Sequence, residues 1–351
     1  SFIYPQDWPF PPQGELVHSE NVGALSVNST GSCFSASKPA KWPEQSLEGW
    51  HRPECWDQFS RSLSAGNRFV ILTGPPGTGK TWLPILYAAA SYGLSRPERE
   101  KARMREDLEA RGVLQVVRCR PNWTSPRPLV GGLAFDGKWS PGLVEKFIHH
   151  ACNNRDQEHF LVLDEMNLSH PEHYLSDFIS AMETGGSLRD EKDKEADGRS
   201  LEWPVGNLVI IGTVNTDETT QMLSPRLKSR AWVVEVRTDW EEVADLEQGA
   251  GKRVARQLGA LDEALKAAGL GFGIRDLHHV LEYAGEKGDG FESRMWEAIG
   301  QKLLPKLRGT KDKLEGPLVA LIAELPAGKL RDEIEILKER VRRDEYINAS
   351  C

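Results

Sequence analysis

The chain has 351 residues, 39% hydrophobic and 27% charged, enough for two domains with real cores or one large domain with a lid. No apolar run approaches the roughly 20 residues of a membrane helix, so a soluble protein is expected. The net charge of −8 argues against a surface that coats nucleic acid throughout, leaving only a local basic groove or pore for such a partner.

The N-terminus, SFIYPQDWPF, has neither an initiator Met nor the basic start and long apolar stretch of a signal peptide, and reads as a piece of a longer protein. Residues 1–48 are rich in Pro, Ser, Gly and Trp and read as irregular, or as the end of a preceding domain. An α/β core over 49–238 and a helical domain over 239–351 are expected to follow. The five cysteines (Cys33, Cys55, Cys119, Cys152 and Cys351) are scattered and form no C-x-x-C pair. That pattern argues against a disulfide framework or a zinc site and fits reduced thiols in a cytoplasm.

From Trp50 to Ser64, the spacing of Trp56, Phe59 and Leu63 predicts a helix. Phe69 to Leu72 then read as a buried strand. The loop Gly74, Pro75, Pro76, Gly77, Thr78, Gly79 follows, and Lys80 and Thr81 open the next helix. These residues fit G-x-x-x-x-G-K-S/T, a phosphate-binding loop. Glycines let backbone N–H groups approach phosphate oxygens with no Cβ in the way, and the helix adds its positive end. Lys80 supplies a mobile charge for the β- and γ-phosphates, and the Thr81 hydroxyl can ligate Mg²⁺. The stretch predicts binding of a nucleoside triphosphate.

An apolar helix over Thr81–Tyr92, a charged helix over residues 96–112 ended by Gly112, and a strand from Leu114 to Cys119 come next. A loop with Trp123, Gly131, Gly132 and Trp139 leads to a helix from about Pro141 to Cys152. Phe160 to Leu163 read as another buried strand with Asp164 and Glu165 at its C-terminal end, the edge where open α/β sheets bind ligands. There Asp164 can hold the Mg²⁺ shell and Glu165 can orient an attacking water.

Pro171 to Glu183 reads as one helix with Tyr174, Leu175, Phe178, Ile179 and Met182 on its core face. His170 and His173 lack a third ligand at useful spacing and read as surface or capping residues. Residues 185–203 read as a hairpin with a charged tip, either solvated or touching a translocated or remodelled partner. A strand over Asn207–Val214 ends in Asn215, an amide placed to hold the lytic water or the γ-phosphate. Arg226, Lys228 and Arg230 crowd a short helix before a fifth strand, Trp232 to Val236. They read as a solvated helix end or as a source of an arginine reaching a neighbouring subunit's γ-phosphate. From about Asp239 the pattern is helical throughout, with no further strand signal, and Arg275 is its most notable charge.

The order phosphate loop, Asp164–Glu165, Asn215, Arg226/Arg230 and helical lid with Arg275 resembles that of the AAA+ ATPases. Four stretches resemble the McrB type, the NTPase motor of modification-dependent restriction systems: VVRCRPNWTSPRPLVGG, FLVLDEMNLSHPEHYLSDFISAME, LVIIGTVNTDETTQMLSPRLKSRA and QKLLPKLRGTKDKLE. The likeness runs from about Phe69 to Leu337.

The resemblance implies an α/β fold of the ASCE type, a five-stranded parallel sheet of order 5-1-4-3-2 flanked by helices and followed by a helical lid. It also implies a homo-oligomeric ring, usually hexameric. Asn215 then corresponds to sensor 1, Arg230 to the arginine finger with Arg226 able to share or replace it, and Arg275 to sensor 2. Mg²⁺ and ATP or GTP are the implied cofactor and substrates, and a nuclease of the McrC type the implied partner. DNA would be met through the pore or through a domain N-terminal to Ser1. McrB members read M-N-x-x-D-R-S after sensor 1, whereas this chain reads Val214-Asn215-Thr216-Asp217-Glu218-Thr219, which leaves ATP and GTP both open. Two other readings use the same residues: a MoxR-like chaperone that remodels proteins, and a nucleotide-gated assembly scaffold.

Overall fold

Five apolar runs become the five strands of one parallel sheet: β1 (Phe69–Gly74), β2 (Leu114–Arg118), β3 (His159–Asp164), β4 (Leu208–Asn215) and β5 (Trp232–Glu235). The computed structural model describes residues 55–94, 101–188, 201–204, 206–216, 223–285, 290–344 and 346–348. Residues 1–48, the charged hairpin tip and Asp217, Glu218 and Thr219 lie outside the described residues.

The strand order is β2-β3-β4-β1-β5, which is 5-1-4-3-2 read from the other edge. Central strands of a parallel sheet are covered on both faces and so are apolar throughout. Alternation divides them between two cores. Val70, Leu72, Phe160 and Val209 pack with the helices Trp56–Ser64 and Trp82–Ser91. Phe69, Ile71, Leu161 and Ile210 pack on the other face with the helices Glu145–Asn153 and Ser176–Thr184.

A third core, running from Trp240 to Val341, belongs to the helices that follow β5. They are Trp240–Leu246, Ala250–Leu265, Ile274–Ala284, Phe291–Leu303, Lys311–Glu324 and Lys329–Arg343. No helix among the described residues is long and apolar enough to cross a membrane.

Three expectations need correction. The C-terminal part is not all helical: Arg308–Thr310 pairs antiparallel with Tyr346–Asn348. The loop before the helix Glu145–Asn153 contains a small hairpin, Gly131–Leu133 with Trp139–Pro141, fastened by the Trp139 indole N–H donating to Glu145 Oε2 at 2.9 Å. The helix read over Pro171–Glu183 is broken at Leu175 into Pro171–Tyr174 and Ser176–Thr184. His170 stands at the N-cap of the first piece without a capping side-chain bond.

Candidate nucleotide site

The register of β1 against β4 sets Gly74 beside Asn215, so the phosphate loop and the amide strand end at the same level. Gly74 is required by space. A Cβ there would lie 2.2 Å from the Val236 carbonyl oxygen, in a backbone conformation (φ +151°) that side-chained residues rarely adopt. Lys80 is buried, and its ammonium folds over the loop to donate to the carbonyls of Gly74 (2.9 Å) and Pro75 (2.6 Å). The Thr78 hydroxyl donates to the Pro75 carbonyl at 3.0 Å and closes the turn.

Two side chains fasten the acidic strand end to this loop. The Thr81 hydroxyl donates to Asp164 Oδ1 at 2.6 Å, and the Thr213 hydroxyl donates to the same oxygen at 2.9 Å. Thr213 in turn accepts the Glu165 backbone N–H at 2.9 Å. A hydroxyl and a carboxylate side by side are hard oxygen donors of the kind Mg²⁺ takes. Glu165 has φ 54° and ψ 47°, the left-handed region, and is the only non-glycine with positive φ among the described residues. Such a residue persists only where its surroundings over-determine it, and such positions cluster at functional sites.

The structure therefore brings together the loop Gly74–Thr81, Asp164, Glu165, Asn215 and the start of the helix carrying Arg275. A Cβ on Gly77 would lie 3.0 Å from the Arg275 Cβ, so the lid touches the phosphate loop. Arg226 and Arg230 stand apart from this group; among the described residues neither is bonded to the phosphate loop. Arg230 is ion-paired to Glu183 and donates to the Arg226 carbonyl at 3.2 Å, while Arg226 itself is exposed. The short helix that carries Arg226, Pro225–Lys228, is anchored through the Ser224 N–H, which donates to Glu172 Oε1 at 3.1 Å. Burial acts to raise the Glu172 carboxyl, but its hydrogen bonds with Ser224 and with its own backbone, together with the nearby His170, leave it below its ordinary value.

Three contributors escaped sequence reading. Thr213 orients both Asp164 and Glu165; its only signal was a hydroxyl inside the apolar run LVIIGTVN. Asn167 donates to the Asn215 carbonyl at 3.2 Å. Arg118 is the last residue of β2, in register with Asp164, and its guanidinium lies 3.7 Å from Glu165 Oε2. In the sequence it lies inside the stretch Leu114–Cys119 read as a strand, with nothing to mark it.

Residues 69–231 match the AAA domain (dynein-related subfamily). The fold is AAA+. The match, together with the parallel sheet and helical lid, supports an AAA+ ATPase. Residues 228–346, the AAA+ lid with the last strand of the core, match a domain of unknown function (DUF8727). Among solved structures, NtrX from Brucella abortus aligns at 15% identity and a TM-score of 0.35, over 85% of this chain and 64% of that one. This chain thus aligns with less than two thirds of that structure's length. A search of curated proteins returns no match.

Proposed function

We propose that this chain is the motor of a ring-forming, McrB-like defence system, using nucleoside-triphosphate hydrolysis to drive DNA translocation or to activate a partner nuclease. The single observation that carries the hydrolytic part is the joined set Thr81–Asp164–Thr213–Glu165 at the mouth of the phosphate loop. The four McrB-like stretches support the more specific part.

In this reading Lys80 holds the β- and γ-phosphates, and Thr81 with Asp164 would hold Mg²⁺. Bound there, the ion neutralises charge on the phosphate oxygens. Glu165 accepts a proton from the attacking water, which Asn215 helps to position. Little covalent chemistry is asked of the protein, so catalysis is positioning and charge stabilisation. An arginine from the neighbouring protomer, Arg230 with Arg226 able to share the role, meets charge that develops in the transition state. A site divided between subunits couples hydrolysis to motion of the ring.

The test is complementation between subunits. Mass measurement should show a ring, hexameric in this reading, that forms with nucleotide. Arg230→Ala should bind nucleotide and assemble but release phosphate slowly, and Glu165→Gln should do the same. Mixing the two should restore part of the turnover, because some interfaces then pair an intact Glu165 with an intact Arg230. Running Arg226→Ala in the same way decides between the arginines. No recovery with either arginine variant would place both outside the shared site.

A further inference from the structure

The segment Leu270–Gly273, just before Arg275, lies directly on the phosphate loop. A Cβ on Gly273 would fall 2.4 Å from the Gly77 carbonyl carbon, and one on Gly271 would fall 3.0 Å from the Pro75 ring. The segment has no regular structure of its own and is fixed from several sides. The Thr216 hydroxyl, next to Asn215, donates to the Gly269 carbonyl at 3.3 Å. The Arg237 guanidinium, just past β5, donates to the Leu270 carbonyl at 3.3 Å. From the lid, the buried Asp262 accepts the Phe272 N–H at 2.6 Å. Burial lifts the Asp262 carboxyl above its ordinary value despite that bond and the nearby Arg237.

The Thr238 hydroxyl donates to the Phe272 carbonyl at 3.4 Å, and Lys306, the fastening from furthest along the chain, adds to these. Its ammonium donates to the Gly271 carbonyl (2.7 Å) and to Asp276 Oδ2 (3.0 Å) and lies 4.7 Å from the centre of the Phe272 ring. Asp276 also accepts the Gly273 N–H at 3.0 Å, capping the helix that begins at Ile274. Both side chains are shielded, at 22% exposure for Lys306 and 13% for Asp276, so this pair is screened less than a surface one.

We propose that Lys306, through Asp276 and the Gly271 carbonyl, is a positioning residue that sets Arg275 against the phosphate loop. Nucleotide affinity and turnover then depend on a cation in the lid that meets no nucleotide itself. The proposal rests on the nucleotide reading of the site. It extends that reading by making the lid loop a rigid reporter between the strand end at Asn215 and Arg275.

The test is a double-mutant cycle on the full chain, read by the dissociation constant for a fluorescent ATP or GTP analogue and by phosphate release. Lys306→Met keeps the apolar stem and removes the charge. It should weaken binding by about tenfold, within the range of coupling between contacting residues. Lys306→Arg should restore most of the loss, because it returns a cation that can reach the same acceptors. In an Arg275→Ala background, Lys306→Met should cost nothing more; a general structural role would instead add its own loss. Thermal unfolding of each variant separates lost positioning from lost folding.

Loss with Arg275→Ala but not with Lys306→Met, or additive losses, would overturn the proposal and leave the site standing. An Arg275→Ala variant with unchanged affinity would remove Arg275 from the nucleotide, and the strut with it.

Discussion

Glu165→Gln is expected to bind nucleotide normally and to release phosphate about 10²- to 10⁴-fold more slowly than the wild type, the usual contribution of a positioned general base. Glutamine keeps the size of the side chain and can still hydrogen-bond water, but it cannot accept the proton. The substitution leaves alone what holds the loop and strand together: Thr81 and Thr213 on Asp164, and the Glu165 backbone N–H on Thr213. Affinity should therefore survive. Single-turnover and multiple-turnover phosphate release, measured beside equilibrium binding, check both halves. Wild-type turnover would take Glu165 out of the role and leave the binding site intact.

Arg118 flanks the same carboxylate. Its guanidinium, 3.7 Å from the Glu165 carboxylate, is largely exposed, so the attraction is screened and weak. It can restrain the carboxylate without locking it.

Lys80→Ala is expected to raise the nucleotide dissociation constant by about 10- to 100-fold, since hydrogen bonds to charged groups are worth roughly 1.5–3 kcal/mol. The ammonium is already gathered at the loop by the Gly74 and Pro75 carbonyls, so its order is paid for in advance of any phosphate. Truncation also leaves those carbonyls without this donor, and melting temperatures should be compared so that a loosened loop is not read as lost phosphate contact. Titration with a fluorescent nucleotide measures the effect. Unchanged affinity would argue against phosphate at this loop.

The central sheet could be read from the sequence because its signals are consecutive. The runs FVIL, FLVL and LVIIG are short, apolar throughout and bounded by turn or polar residues, as strands covered on both faces are, and each leads into residues of the site. Asp164, Glu165 and Asn215 were legible for the same reason: each sits at or just past the C-terminal end of such a run.

What stayed hidden depends on partners distant in the chain. The strands Gly131–Leu133, Trp139–Pro141, Arg308–Thr310 and Tyr346–Asn348 are three residues each, too short for alternation to declare itself. The break at Leu175 carries no glycine or proline at that point. Lys306 looks like any lysine near a helix end until the fold carries it to Gly271 and Asp276. Arg230 was legible as a charge before β5, but not its ion pair with Glu183, which lies on another helix.

The most direct measurement is phosphate release by the intact wild-type chain from ATP and from GTP, under multiple turnover, with Mg²⁺ and then with the ion chelated. If the loop, Asp164 and Asn215 serve one triphosphate, at least one of the two nucleotides should be hydrolysed repeatedly, and chelation should stop it. Failure to bind or hydrolyse either nucleotide, across protein concentrations at which rings can form, would contradict the account.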